Sequence, residues 1–197
     1  MHKRLFLAAA AAAATTWLSA CGQDKPAFKS VDITGADYAK GWSLTDQHGQ
    51  ARTLQDMAGK IVIVFFGYTQ CPDVCPTSML ELAQVKQLLG PDGDKLQGVF
   101  ITIDPERDTA ELLKAYMASF DPTFVALRPS PEQLAQVARD FRIYYKKVEG
   151  KTPTSYTMDH SAGSFTFDPQ GRIRLYNRHA SGAEALASDV KILLSGK

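Results

Sequence analysis

Two of the three cysteines in this 197-residue chain lie four positions apart, and each is followed by proline, in Cys71-Pro72-Asp73-Val74-Cys75-Pro76. Proline lacks a backbone N–H and its ring clashes with a preceding helical turn, so Pro76 predicts the start of a helix. Cys75 would then lie close to the N-cap, and residues 71–74 would form a loop over the helix start, where unpaired N–H groups and the positive end of the helix dipole favour thiolate. We therefore expect both sulfurs to be exposed and chemically active.

The number of residues between the two cysteines separates the candidate chemistries. Thioredoxin-like oxidoreductases place two residues between their cysteines, whereas this chain has three, Pro72, Asp73 and Val74. The longer loop lets the sulfurs stand apart around a metal ion, although they could still close into a disulfide. Soft thiolates select Cu(I), zinc or iron–sulfur clusters, and two cysteines are too few for a cluster. Copper or zinc remains, and either ion needs further ligands.

Four histidines are available as further ligands, and His160 in Asp159-His160-Ser161 is the best candidate. We predict that it lies in a loop just before a C-terminal hairpin, not on an apolar face. His2 falls in a targeting segment, and His48 and His179 are expected on the solvated surface. On these residues alone, an exposed loop histidine without a ligand role stays open as the alternative.

The first residues have the pattern of a bacterial lipoprotein signal peptide. His2-Lys3-Arg4 is positively charged, the apolar stretch from Leu5 to Leu18 is too short to span a bilayer, and Leu18-Ser19-Ala20-Cys21 resembles a lipobox. We expect cleavage before Cys21, lipid on its sulfur, and a protein anchored on the periplasmic side of a bacterial membrane. An ordinary signal peptide with an incidental Cys21 is the alternative.

These features predict a signal peptide at 1–20, a lipid-anchored tether at 21–40 and a single domain at 41–197. Hydrophobic residues make up 45% of the chain, which is enough for one ordinary core. Positive and negative charges are balanced, with 22 Lys and Arg against 21 Asp and Glu. No basic stripe is present, so nucleic acid is not expected as a partner.

Apolar runs and helix-start signals alternate along the domain. We predict a small N-terminal hairpin near residues 41–50, helices starting at Pro76 and just after Asp108, Ser130 and Ser181, and strands at 61–66, 99–103, 123–127, 143–147, 164–167 and 173–176. This order indicates an α/β domain, a mixed central sheet flanked by helices. With a cysteine pair after the first long strand, the layout is that of a thioredoxin-like fold.

Three motifs occur in a fixed order: Gly67-Tyr68-Thr69-Gln70-Cys71-Pro72-Asp73-Val74-Cys75-Pro76, Asp104-Pro105-Glu106-Arg107-Asp108-Thr109 and Asp159-His160-Ser161. Together they closely resemble the Sco/SenC family of copper-binding proteins, from about Gly41 to the C-terminus. The resemblance implies a thioredoxin-like fold and copper bound by Cys71, Cys75 and His160. It also implies a role in assembling the binuclear copper centre of cytochrome c oxidase. Gln70 departs from the pattern, because many members carry histidine there.

The chemistry of this ligand set agrees with copper, one ion per chain. Two thiolates and one imidazole suit trigonal Cu(I), whereas Cu(II) prefers a more tetragonal geometry and would recruit water or a carboxylate. Asp73 and Asp159 are the candidates for an auxiliary oxygen ligand or a hydrogen-bond partner of a ligand. Met79 could offer a thioether one turn beyond Cys75, but core packing is the favoured role.

The leading hypothesis is a membrane-tethered copper chaperone, not an enzyme, that delivers copper to the copper-receiving subunit of cytochrome c oxidase. The alternative is a thiol:disulfide oxidoreductase that reduces that subunit's cysteines or senses redox state through Cys71 and Cys75. His160 discriminates, since a reductase has little need for it. A peroxidase and a structural zinc site are disfavoured.

We interpret 104–108 as a strand end and turn with Asp108 as a helix cap, and Arg107 could add positive potential near the thiolates.

Overall fold

The computed structural model describes residues 26–152 and 155–197. The predicted signal peptide and Cys21 lie outside the described residues. In the described part of the chain, no helix combines the length and the apolar character that crossing a membrane requires.

An eight-stranded mixed sheet forms the centre of the molecule, in the order β1-β10-β9-β4-β5-β6-β2-β3. Strands β4, β5 and β6 are parallel, and the other pairs in this sheet are antiparallel. Strands β7 and β8 pair separately. The strands are β1 Val31–Asp32, β2 Ser43–Asp46, β3 Ala51–Thr53, β4 Ile61–Gly67, β5 Leu96–Thr102, β6 Val125–Arg128, β7 Tyr145–Val148, β8 Thr157–His160, β9 Ser164–Phe167 and β10 Ile173–Asn177.

Four helices accompany the sheet: α1 Val74–Leu88, α2 Ala110–Ala118, α3 Pro131–Asp140 and α4 Ala183–Leu194. Short 3-10 turns lie at Gln55–Met57 and Gly90–Lys95. Helix α1 connects parallel strands β4 and β5 and packs beside α4. The predicted mixed sheet with helices and an N-terminal hairpin is confirmed.

Strand β4 forms the middle of the core because every one of its residues is buried. Its continuous run of β-branched and aromatic side chains is typical of a strand covered on both faces. Strand β5, its parallel neighbour, is buried along its whole length too. The segment that carries Cys71 and Cys75 therefore follows one of the two most deeply buried strands of the sheet.

Helix α1 begins at Val74, two residues before the predicted start at Pro76. Asp73 is the N-cap residue, so Cys75 and Pro76 are the second and third helical residues. Proline is tolerated there because the first-turn N–H groups of a helix have no intrahelical partner. Cys75 thus belongs to the helix and not to the loop in front of it.

The predicted caps of the later helices had different outcomes. The capping box at Ser130 is confirmed, with Ser130 and Gln133 bonding each other's backbone N–H groups. Asp108 is not the cap of α2, because the Thr109 side chain accepts the hydrogen bond from the Leu112 N–H. The prediction for Ser181 is also wrong: its hydroxyl donates to the Arg178 carbonyl at 2.6 Å, and Gly182 is the N-cap with a φ of 91°.

Residues near the N-terminus that were expected within a tether pack onto the domain. Strand β1 pairs with β10 at the sheet edge. The Asp189 carboxylate accepts hydrogen bonds from the N–H groups of Lys29 and Ser30, each at 2.8 Å. These contacts use backbone groups and one buried carboxylate, so the polar composition of the segment did not reveal them. They also cover backbone that β10 would otherwise expose.

Candidate metal centre

Cys71, Cys75 and His160 meet beyond the C-terminal end of β4. One ligand atom from each, two sulfurs and a ring nitrogen, lie within 4.8 Å of one another. The Cys75 Sγ is 3.5 Å from the His160 Nε2. Metal–sulfur and metal–nitrogen bonds are about 2.3 and 2.0 Å long, so small shifts would let all three atoms surround one ion.

His160 is the last residue of β8, where it pairs with Tyr145, and not a loop residue as predicted. Its Nδ1–H donates a hydrogen bond to the Ser161 carbonyl at 2.9 Å. A carbonyl only accepts, so this bond fixes the tautomer and leaves the Nε2 lone pair facing the Cys75 sulfur. The rings of Phe65 and Tyr68 contact the imidazole edge-on, each at a centroid distance of 6.0 Å.

Electrostatics keep the His160 imidazole in the form that binds metals. Burial lowers its pKa, while the bond to Ser161 and the charge of Asp159 act in the opposite direction. The net shift is downward, so the ring is neutral at pH 7. A neutral ring with a fixed tautomer is ready to bind a metal through Nε2.

Cys75 differs from the exposed thiolate predicted for it. Its side chain is completely buried, and this burial raises the pKa of the thiol far above its usual range, against a smaller opposing effect of the Tyr68 backbone. Desolvation therefore outweighs the helix start that was expected to favour the anion. Cys71 is half-buried, so the two sulfurs have unequal access to the surface.

Glycine at the end of β4 makes room for the Cys75 sulfur. A Cβ at Gly67 would lie only 2.7 Å from that sulfur and 2.9 Å from Phe100 Cε2. The Gly67 carbonyl accepts a hydrogen bond from the Ile103 N–H at 2.8 Å, which fixes the strand end. The sulfur thus packs directly against backbone.

Asp108 was predicted as a helix cap, but its side chain instead supports the chain beside the site. Its fully buried carboxylate accepts hydrogen bonds from the Thr69 hydroxyl at 2.6 Å and the Thr102 hydroxyl at 2.5 Å. It also accepts from the Thr69 N–H at 3.1 Å. Burial raises the pKa of Asp108, although these hydrogen bonds oppose the rise. Asp108 thereby holds the chain two residues before Cys71.

Arg107 links the loop after β5 to the segment that carries His160. Its side chain pairs with Asp104 at 2.5 Å, donates to the Tyr156 carbonyl at 2.9 Å, and lies 3.5 Å from the centroid of the Tyr156 ring. The Tyr156 hydroxyl donates to Asp104 at 2.8 Å. Arg107 also approaches the Tyr68 ring, at 5.7 Å from its centroid. Because Asp104 neutralises the charge of Arg107, the main role of this side chain is to link the loop after β5 to Tyr156.

The remaining candidate residues lie around this group. Asp73 and Asp159 are both exposed, and neither belongs to the group of ligand atoms found within 4.8 Å in the described residues; their auxiliary role stays a prediction. Met79 is fully buried in the core. His48 and His179 are exposed as expected, and the Nδ1 of His179 lies 3.3 Å from the Ser78 hydroxyl.

Comparison with known proteins places the chain in a family. Residues 31–195 match the SCO1/SenC family model. The copper-bound structure of Bradyrhizobium japonicum ScoI is 43% identical, with a TM-score of 0.72 over 78% of this chain and 98% of that chain. The protein SCO2 homolog, mitochondrial, of Bos taurus is 38% identical over 152 residues, which cover 76% of this chain and 57% of the bovine protein.

A more distant solved structure shares the fold. BsSco, a member of the Sco family of cytochrome c oxidase assembly proteins in which a disulfide switch was identified, is 18% identical. Its TM-score is 0.64 over 85% of this chain and 99% of its own. Relatives with this fold have been solved with copper bound, and in this chain the two cysteines and the histidine form a group that could hold a metal ion. The chain therefore belongs to the SCO1/SenC family and has its thioredoxin-like fold.

Proposed function

We propose that this protein binds one copper ion through Cys71, Cys75 and His160 and delivers it to the binuclear copper centre of cytochrome c oxidase during assembly. The observation that carries the proposal is the approach of two sulfurs and one imidazole nitrogen to within 4.8 Å. Soft thiolates favour Cu(I), and imidazole suits both copper oxidation states. The copper held by ScoI, at 43% identity, supports the same cargo here.

Unequal burial of the ligands suggests how copper is released. Cys75 is completely buried and Cys71 is half-buried. An acceptor thiolate on the oxidase subunit can reach the Cys71 side first, and its sulfur replaces the Cys71 sulfur on copper. Cys75 and His160 hold the ion until a second acceptor ligand arrives. Transfer by ligand exchange thus needs no stage at which copper is free in solution.

Lipid on Cys21 would anchor the protein on the periplasmic side of a bacterial membrane, facing the copper-receiving oxidase subunit. The lipobox-like sequence Leu18-Ser19-Ala20-Cys21 supports this anchoring. Residues 1–20 would be the signal peptide. The packing of Lys29 and Ser30 against Asp189 shortens the free tether at its C-terminal end.

Copper titration of the purified protein tests this function. One copper ion should bind per chain, and Cys71→Ser, Cys75→Ser and His160→Ala should each weaken binding by more than about 100-fold, because each variant removes a direct ligand. His48→Ala, which removes an exposed histidine away from the site, is the matched control and should bind like the unaltered protein. Unaltered affinity in all three ligand variants would refute the assignment.

A second candidate function, thiol:disulfide exchange, is favoured by the approach of the two free sulfurs to within 4.8 Å of each other. In that reaction the two thiols form a disulfide, and the target disulfide receives two electrons and two protons. Oxidase assembly in cells carrying His160→Ala separates the functions. Assembly that persists in His160→Ala but is lost in both cysteine variants would favour the redox function over copper delivery.

A further inference from the structure

The Tyr116 hydroxyl in α2 is a buried polar group without an assigned partner. Its oxygen is shielded from solvent and makes no hydrogen bond to any residue that the structure describes. Buried hydroxyls are normally paired, because leaving one unpaired costs stability. No described residue competes for the Tyr116 proton, so this hydroxyl is available as a hydrogen-bond donor.

Aromatic packing places Tyr116 beside the cysteine pair. Its ring lies 5.5 Å from the Phe100 ring, centroid to centroid. Phe100 and the Cys75 sulfur in turn lie beside the same point, because a Cβ at Gly67 would be 2.9 Å from Phe100 Cε2 and 2.7 Å from that sulfur. Burial raises the pKa of Tyr116, so its hydroxyl keeps its proton and can act as a hydrogen-bond donor. The contacts through Phe100 place Tyr116 one side chain away from the Cys75 sulfur.

Cys75 requires hydrogen-bond donors once it holds a metal. In the metal-free protein its S–H faces the His160 Nε2 lone pair at 3.5 Å, and a thiol sulfur is only a weak acceptor. When copper displaces the proton, the sulfur becomes a buried anion and a stronger acceptor, while His160 Nε2 is committed to the metal. The Tyr68 backbone is the donor already present, and a buried anion is stabilised by each further donor.

We propose that the Tyr116 hydroxyl donates a hydrogen bond to the Cys75 sulfur when that sulfur is a copper-bound thiolate. Tyr116 is then a positioning residue that acts on copper through Cys75, and this role rests on the proposed function. The hydrogen bond lowers the energy of the sulfur lone pairs and weakens their donation to copper. It therefore favours Cu(I) relative to Cu(II) and moves sulfur-to-Cu(II) charge transfer to higher energy.

Tyr116→Phe removes only the hydroxyl and tests the proposal. In the copper-loaded full-length protein, we expect the sulfur-to-Cu(II) charge-transfer band to move to longer wavelength. The ratio of Cu(I) to Cu(II) affinity should fall by about threefold to tenfold, the range expected for one hydrogen bond. Thermal unfolding of the metal-free variant should occur at the same temperature or a higher one, because the unpaired hydroxyl is gone. A purely structural hydroxyl would lower that temperature and leave the band in place.

Tyr144→Phe is the control, because the Tyr144 side chain is 57% exposed and its loss should change none of these quantities. An unchanged band and an unchanged affinity ratio in Tyr116→Phe overturn the Tyr116 proposal while the copper function stands. Absence of any sulfur-to-copper band in the unaltered protein overturns the proposed function, and the Tyr116 proposal with it.

Discussion

At the scale of single residues, two buried carboxylates show how surroundings set protonation. Asp108 is bonded by hydroxyl and N–H groups, and burial raises its pKa. Asp168 is equally buried, but hydrogen bonds from Arg172 and Arg174 outweigh the burial and lower its pKa. Asp108 holds Thr69, two residues before Cys71, whereas Arg174 connects Asp168 to Thr34 and to the Lys197 carbonyl. Asp108 thus lies beside the site, and Asp168, through Arg174, connects Thr34 and the Lys197 carbonyl to the sheet.

Asp168→Asn should reduce stability in a pH-dependent way. At pH 7 the free energy of unfolding should fall by about 2–4 kcal/mol, because two arginines lose their shared anion. The folded-state pKa lies below the ordinary value of 3.8, so this stabilisation is complete above about pH 4 and is lost as the pH falls further. Urea unfolding of the metal-free protein at pH 7 and at about pH 3 measures the difference between the two proteins.

The control for this prediction is Asp94→Asn, which changes an exposed carboxylate and should alter stability little at either pH. A stability difference for Asp168→Asn that is equally large at both pH values would contradict the ion-pair account, since protonated Asp168 no longer carries the charge that Asn lacks.

Residue types were readable from the sequence, but their environments were not. The spacing of Cys71 and Cys75 indicated a soft-metal or redox pair, comparison of the four histidines selected His160, and the resemblance to Sco proteins implied that it binds copper. The burial of Cys75 could not be predicted, because it depends on packing against Gly67 and Phe100. Tyr116 gave no sequence signal at all: its importance lies in an unpaired hydroxyl that only the folded structure reveals.

At the scale of secondary structure, the position of the Cys75 sulfur depends on the close packing of β4 against the start of α1. Gly67 is the contact point, since a side chain there would overlap the Cys75 sulfur. Gly98 in β5 is crowded in a similar way, with a Cβ position 2.9 Å from the Phe124 ring. A side chain would thus be similarly crowded at Gly67 and at Gly98, but only at Gly67 would it meet the Cys75 sulfur.

Gly67→Ala should damage copper binding beyond its effect on stability. Both Gly67→Ala and Gly98→Ala should cost about 1–3 kcal/mol through overpacking. Only Gly67→Ala should also push the Cys75 sulfur away from His160 and weaken copper binding, by at least about tenfold. Copper titration and urea unfolding of both variants test this. Equal copper affinities in the two would show that Gly67 is not specific to the site.

Long, apolar elements were predicted well, whereas short polar ones were not. Strands β4 and β5 and the helices were recognisable from local patterns. Strands β1 and β8 were missed because their pairing partners, β10 and β7, supply the stabilisation and no local apolar pattern marks them. The cap errors at Asp108 and Ser181 have a related cause. Both side chains were free to find other partners, Thr69 and Thr102 for Asp108 and the Arg178 carbonyl for Ser181.

At the scale of the whole molecule, the fold brings together candidate ligands that are distant in sequence. Cys75 and His160 are 85 positions apart; Cys75 lies in the first turn of α1, which follows β4, and His160 ends β8 in the separate two-stranded sheet. The mixed α/β architecture was predictable from alternating apolar patterns. The contact between Cys75 and His160 was predictable only from the family resemblance, because local patterns do not show the β7–β8 pair reaching the end of β4, where Arg107, Asp104 and Tyr156 connect it.

X-ray absorption spectroscopy of the Cu(I)-loaded protein tests the central claim most directly, because it identifies the atoms bonded to the ion. Coordination by two sulfurs and one imidazole nitrogen is the predicted result, with one sulfur lost in Cys75→Ser and the imidazole lost in His160→Ala. A copper ion surrounded only by nitrogen and oxygen, or a ligand shell that these substitutions leave unchanged, would contradict the account.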